Sequence, residues 1–150
     1  MGAGTGSENT VDAEPSGQRA LGSQFVGHLA NRDFDAISML LAPKVRMRGL
    51  VPSGPAEWNG RQEVTAAFAS WFGPADDFEI VHTEIDEIAG RLHLAWRAQV
   101  QPAPYEGGDG RHVIEQHFLA DIPDSTDAIE ALDFLCTGFR RASTAPDDGA

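Results

Sequence analysis

The chain is short of cysteine, of tyrosine and of positive charge. Cys136 is its one cysteine and Tyr105 its one tyrosine. A single cysteine excludes an intrachain disulfide and suits a reducing compartment. Lysine and arginine together number 11 against 23 acidic residues, for a net charge of −12. Nucleic acid and anionic membranes both call for a positive field, so neither is expected as a partner. No apolar run approaches the roughly 20 residues of a membrane-spanning helix. No basic residue precedes Arg19 and no apolar stretch stands near the start, so no signal or transit peptide is expected. These absences together point to the cytoplasm. The sequence also lacks a Cys/His cluster of zinc-site spacing, a Gly-x-Ser-x-Gly elbow and a phosphate loop. His112 and His117 stand an odd number apart on one strand and so point to opposite faces. No metal and no cofactor is expected.

What is present is enough apolar material for one folded domain: 41% of 150 residues is hydrophobic. Residues 1–17 and 142–150 are rich in small, polar and acidic residues and read as disordered tails. The domain then covers 18–141. Leu21, Phe25, Val26 and Leu29 predict a helix over 18–31. Asp33 is placed to cap a second short helix with Phe34, Ile37, Leu40 and Leu41 inward, ended by Pro43. Residues 44–50 alternate as a strand, and 51–57, with two prolines and a glycine, read as loop. Val64, Ala67, Phe68 and Trp71 predict a helix over Arg61–Phe72, capped by Asn59 and stopped by Gly73-Pro74. Strands are expected over 78–88, Arg91–Gln101, 111–121 and 128–141. Ala89-Gly90 makes a tight hairpin turn. The looser connection 102–110 holds Tyr105 and the glycine-rich run Gly107–Gly110, read as turn chemistry. Helices followed by a mainly antiparallel meander make an α+β fold.

Three segments carry a family resemblance. They are NRDFDAISMLLAPKV, the helix entry WNGRQEVTAAF and the last strand AIEALDFLCTGFR. In this order and spacing the chain resembles the nuclear transport factor two-like superfamily, in its SnoaL-like branch. Polyketide cyclases, ketosteroid isomerases and limonene-epoxide hydrolases are relatives of that branch. The resemblance covers most of 18–141. It implies a cone of curved antiparallel sheet packed with three helices around a pocket, and homodimers that pair through the outer face of the sheet. It also implies either cofactor-independent acid–base chemistry or binding without chemistry.

Asp133 is the first candidate catalytic residue. Its strand face also holds Ile129, Ala131, Leu135, Thr137 and Phe139, which predicts a buried carboxylate. The resemblance puts a carboxylate at this place on the pocket floor. Desolvation would raise its pKa and fit it to move protons near neutral pH. The plainer reading is a structural ion pair with a neighbouring strand. His117, with Glu115, Val113 and Leu119 on its face, is the candidate partner, and which face of that strand lines the pocket stays open. Arg97 and Gln99 match an Arg-x-Asp pair of the epoxide hydrolases. An amide replaces the needed carboxylate, which makes epoxide hydrolysis the least favoured activity unless Glu115 substitutes. A steroid-isomerase site is not expected: Tyr105 is in a loop, the first strand carries Arg46 and Arg48, and the nearest acid, Glu57, is exposed. Trp58 and Trp96 are candidate pocket aromatics, Trp58 at the mouth, whereas Trp71 and Phe68 read as core. Cys136 reads as a small buried residue. The leading expectation is a protein that takes a small hydrophobic carbonyl compound, with Asp133 and His117 transferring a proton. The alternative is a non-enzymatic binding or dimerisation domain in which Asp133 is already saturated.

Overall fold

A computed structural model describes residues 17–101 and 111–141. The expected tails, apart from Gly17, and the connection 102–110 with Tyr105 and the glycine run lie outside the described residues. Among the described residues, three helices and seven strands follow one another in the order α1 Gly17–Ala30, α2 Phe34–Met39, β1 Leu41–Val51, β2 Gly54–Asn59, α3 Arg61–Phe72, β3 Asp77–Ile88, β4 Arg91–Gln101, β5 His112–Asp121, β6 Ile129–Cys136 and β7 Arg140–Arg141. The strands form one open sheet in the order β2-β1-β6-β5-β4-β3, with β7 added beside β5. All pairs are antiparallel except β1 and β6, which run parallel. The helices cover one face of this curved sheet, which makes the α+β cone.

Local chemistry accounts for the elements. Asp33 caps α2 by accepting from the Ala36 N–H at 3.1 Å. Helix α3 starts one residue later than a cap at Asn59 would give. Gly60 occupies the cap position, and Glu63 reaches back to the Asn59 N–H at 2.8 Å. Arg61 then donates twice to the Leu41 carbonyl and pins α3 to β1. Residues 54–59 are strand rather than loop, because β1 turns at Pro52-Ser53 and pairs back on itself with Met47 opposite Trp58. Pro43 ends no helix; it lies inside β1, after α2 has closed at Leu40. Ala89 and Gly90 both take positive φ, 52° and 79°, which suits a two-residue hairpin between right-twisted strands.

The interior of the cone is filled by rings. Phe25 stacks on Trp96 at 6.0 Å, Trp96 on Phe118 at 4.9 Å, Phe118 on Phe134 at 4.7 Å, and Phe134 meets Trp58 at 5.7 Å. Phe68 of α3 closes over Phe25 and Phe118. Each such contact adds about 0.5–1.5 kcal/mol beyond the burial of area. Gly49 allows the row to run past β1: a Cβ there would overlap the Phe134 ring.

Candidate functional site

The row of rings stops short of one end of the cone and leaves a cleft of about 570 Å³. Trp58 and Trp71 form one wall. The β1–β2 turn (Val51, Pro52, Ser53) makes another, and Cys136, Thr137, Gly138 and Phe139 a third, with Ile114 beneath. The third wall exists because the expected long last strand is broken. Gly138 takes φ +76°, a conformation side chains with a Cβ rarely adopt. It lies against Pro52 so closely that a Cβ would overlap the proline ring. The chain bends there and Phe139 turns in toward Phe72, at 6.4 Å.

Behind the cleft runs a buried polar relay. The Trp96 indole N–H donates to Gln116 Oε1 at 2.9 Å, and the Gln116 amide reaches Cys136 Sγ at 3.5 Å. The Gly138 N–H also points at that sulfur, at 3.3 Å. Burial pushes the Cys136 thiol up from its ordinary value, against a downward pull from Gly138 and Gln116. Trp96 is therefore a core ring with its polar edge satisfied, while Trp58 is a wall of the cleft.

Asp133 lies on the other face of the sheet. The inward residues of β6 are Leu132 and Phe134, so the apolar face assigned to Asp133 from the sequence is the outer one. The apolar residues of β6 were a misleading guide, since Ile129 and Leu132 are both buried although an odd number apart; the ladder with β1 also shifts register at this end, between Leu41 and Arg46. Asp133 is held by two arginines, Arg91 at 2.8 Å and Arg48 at 3.1 Å. Partial burial alone would push its carboxyl up. The hydrogen bonds from Arg91 and then Arg48 outweigh that and hold it below the usual aspartate value. The expected partners, Arg97 and His117, make no pair with it. Register sets Leu119 opposite Asp133, and Leu135 opposite His117.

The other candidates also occupy the outer face. Arg97 pairs with Glu115 at 2.7 Å. That hydrogen bond, opposed by partial desolvation, holds the Glu115 carboxyl below its ordinary value. Gln99 stands apart beside Arg111, at 3.5 Å. His117 is exposed and stacks on His93 at 5.7 Å. His117 and Glu115 do come together in a shallower groove of about 370 Å³, with Leu50 and Leu135. This groove shares Val51, Pro52, Cys136 and Thr137 with the cleft, so it continues over the same lip. The sequence reading missed the lip residues. The Thr137-Gly138 pair inside a supposed strand was the available signal, since glycine within a strand marks a break or a close approach.

No protein-family model matches the chain, and no curated protein matches it. Solved structures do. A candidate SnoaL-like polyketide cyclase from Shewanella denitrificans superposes with a TM-score of 0.63 at 10% identity, over 81% of this chain and 91% of the other. A protein of unknown function from Cytophaga hutchinsonii, described as nuclear transport factor two-like, gives 0.56 at 16% identity, over 84% and 94%. The chain has the nuclear transport factor two-like fold. A candidate ketosteroid isomerase from Kribbella flavida shares it as well, at a TM-score of 0.54 and 14% identity over 89% and 87%. Identities this low carry shape and not chemistry.

Proposed function

We propose that this protein binds a small, largely apolar molecule in the cleft beside Trp58, and that the cleft itself performs no proton transfer. One observation carries the reading: among the described residues, the lining consists of rings, aliphatic groups, two hydroxyls and a thiol held protonated, with no carboxylate or imidazole. A cavity of this kind takes up a ligand by desolvation and shape, with Ser53 and Thr137 able to orient a carbonyl or hydroxyl group. The setting is cytoplasmic, which the single cysteine supports. A homodimer through the outer sheet face belongs to the same proposal, supported by Leu50 and Leu135, which are 51% and 56% exposed there. No described helix is long and apolar enough to cross a membrane.

A second reading rests on the adjoining groove. A ligand long enough to cross the lip would bring its end to His117, which could take a proton while Glu115, fixed by Arg97, balances the charge. This is the cyclase- or isomerase-like activity, moved from the cleft to its rim.

Titration with a panel of flat apolar ketones, phenols and hydrocarbons, followed by tryptophan fluorescence and protein NMR, tests both. The binding reading expects at least one class to perturb Trp58 and Trp71. Trp58→Ala should then weaken it by about tenfold or more, and His117→Gln should leave affinity and ligand unchanged. Turnover abolished by His117→Gln would establish the second reading. A panel with no saturable binder would overturn both.

A further inference from the structure

We propose a divalent transition-metal site of the zinc class on the outer face of the sheet, formed by Glu84, Asp86 and His93. The ligand atoms of these three side chains all lie within 4.8 Å of one another. Asp86 Oδ2 and His93 Nδ1 already stand 3.5 Å apart. A tetrahedral zinc ion with bonds of about 2.1 Å sets its donors about 3.4 Å apart, so small side-chain rotations close the set.

The backbone is arranged to produce this cluster. In the first half of β3, Phe78 and Ile80 pair with Val100 and Ala98 and face the core. An irregularity between Ile80 and His82 then inserts one residue. From there His82, Glu84 and Asp86 stand opposite Arg97, Ala95 and His93 and face outward. Without it, all three would point into the core. A bulge re-aims side chains in this way, and such bulges gather beside functional sites. Asp86 and His93 become a directly opposed pair. Glu84 sits across from Ala95, whose methyl leaves room above the sheet.

Two features mark His93 as a ligand rather than a packing residue. Its Nδ1 is buried and, with Asp86 Oδ2 at 3.5 Å but not aligned as an acceptor, makes no hydrogen bond, which is costly for a polar atom unless something else satisfies it. Its ring is stacked on His117 at 17°, which fixes its orientation. Beside the set, His82 Nε2 lies 3.1 Å from Glu84 and holds that carboxylate in place from outside. The local cation, Arg97, is engaged with Glu115. Imidazole with carboxylate suits zinc and its neighbours better than calcium or magnesium, which prefer oxygen alone. The chain's charge of −12 favours a cation in general.

The test is calorimetric titration of the untagged full chain with zinc chloride, with calcium chloride as a second arm. The expected result is one zinc ion per chain in the micromolar range and far weaker calcium binding. His93→Gln, Glu84→Gln and Asp86→Asn should each weaken zinc by about tenfold or more, and Glu79→Gln, elsewhere on β3, should not. Loading with Co²⁺ gives a second readout, a visible ligand-field band that His93→Gln removes. Glu84 and Asp86 are exposed, so their variants keep the test valid if the histidine variant misfolds. Absence of stoichiometric zinc binding would overturn the proposal. So would zinc binding equally well to all variants, because the ion would then be answering general acidity.

Discussion

Arg91 holds Asp133: its Nη2 lies 2.8 Å from one carboxylate oxygen, while its other contacts, at 2.7 and 3.2 Å, go to Asp121. One guanidinium thus ties the start of β4 to the end of β5 and, across it, to β6. Asp133→Asn should lower stability by about 0.5–1 kcal/mol, the modest size expected where solvent screens the pair. The carboxyl is held low in the folded state, so its contribution is present above the ordinary aspartate value. That contribution disappears as pH falls through that value toward the lowered one. Melting curves of the two proteins should differ near neutrality and converge in acid. A difference that grew in acid would contradict the pairing. Ligand affinity in the cleft should not change.

Gly138→Ala places a Cβ at positive φ and against Pro52. The backbone term alone costs about 1–2 kcal/mol, and the proline must give way. Urea midpoints should fall accordingly. Affinity for any ligand of the cleft should fall as well, since Gly138 and Pro52 both line it.

Gln116 is fully buried and accepts from Trp96. Gln116→Leu should cost about 1–3 kcal/mol, because the indole N–H is left without an acceptor. The double variant Trp96→Phe with Gln116→Leu removes both polar partners. It should be less destabilised than the sum of the single changes. Strict additivity in denaturant unfolding would show that the bond carries nothing.

Cys136 should alkylate slowly at neutral pH, because burial disfavours its thiolate. The rate against pH should rise with a midpoint above the ordinary cysteine value. A ligand seated in the cleft should slow the reaction further, since the residue lines that cleft. Fast labelling at neutral pH, unaffected by ligand, would place the thiol outside it.

Helix α3 was legible to the residue, as was strand β4, and α1 and β3 within one residue, because 3.6- and 2-residue apolar periods are local and strong there. The order of the segments was enough for the cone. Strand β2 was not legible. Pro52 and Pro55 suggest loop, and only pairing with β1, where Pro55 faces Leu50 at the sheet's edge, makes strand of it.

The sequence by itself determined which residue types were available and which segments would be helix or strand. The tertiary structure decided which way they face. A strand's face inverts when its register slips by one residue, and the described sheet has two register irregularities, of which the one in β3 inserts a single residue. The one in β1 lies at the start of its ladder with β6, the strand on which Leu132 and Phe134 face inward and leave Asp133 outward, away from the interior where a lone apolar pattern placed it. The one in β3 turns His82, Glu84 and Asp86 outward beside His93. Neither leaves a mark in composition or period, because each is fixed by pairing with a strand distant in sequence. The cleft is decided the same way, by where the aromatic row ends and Gly138 bends the chain.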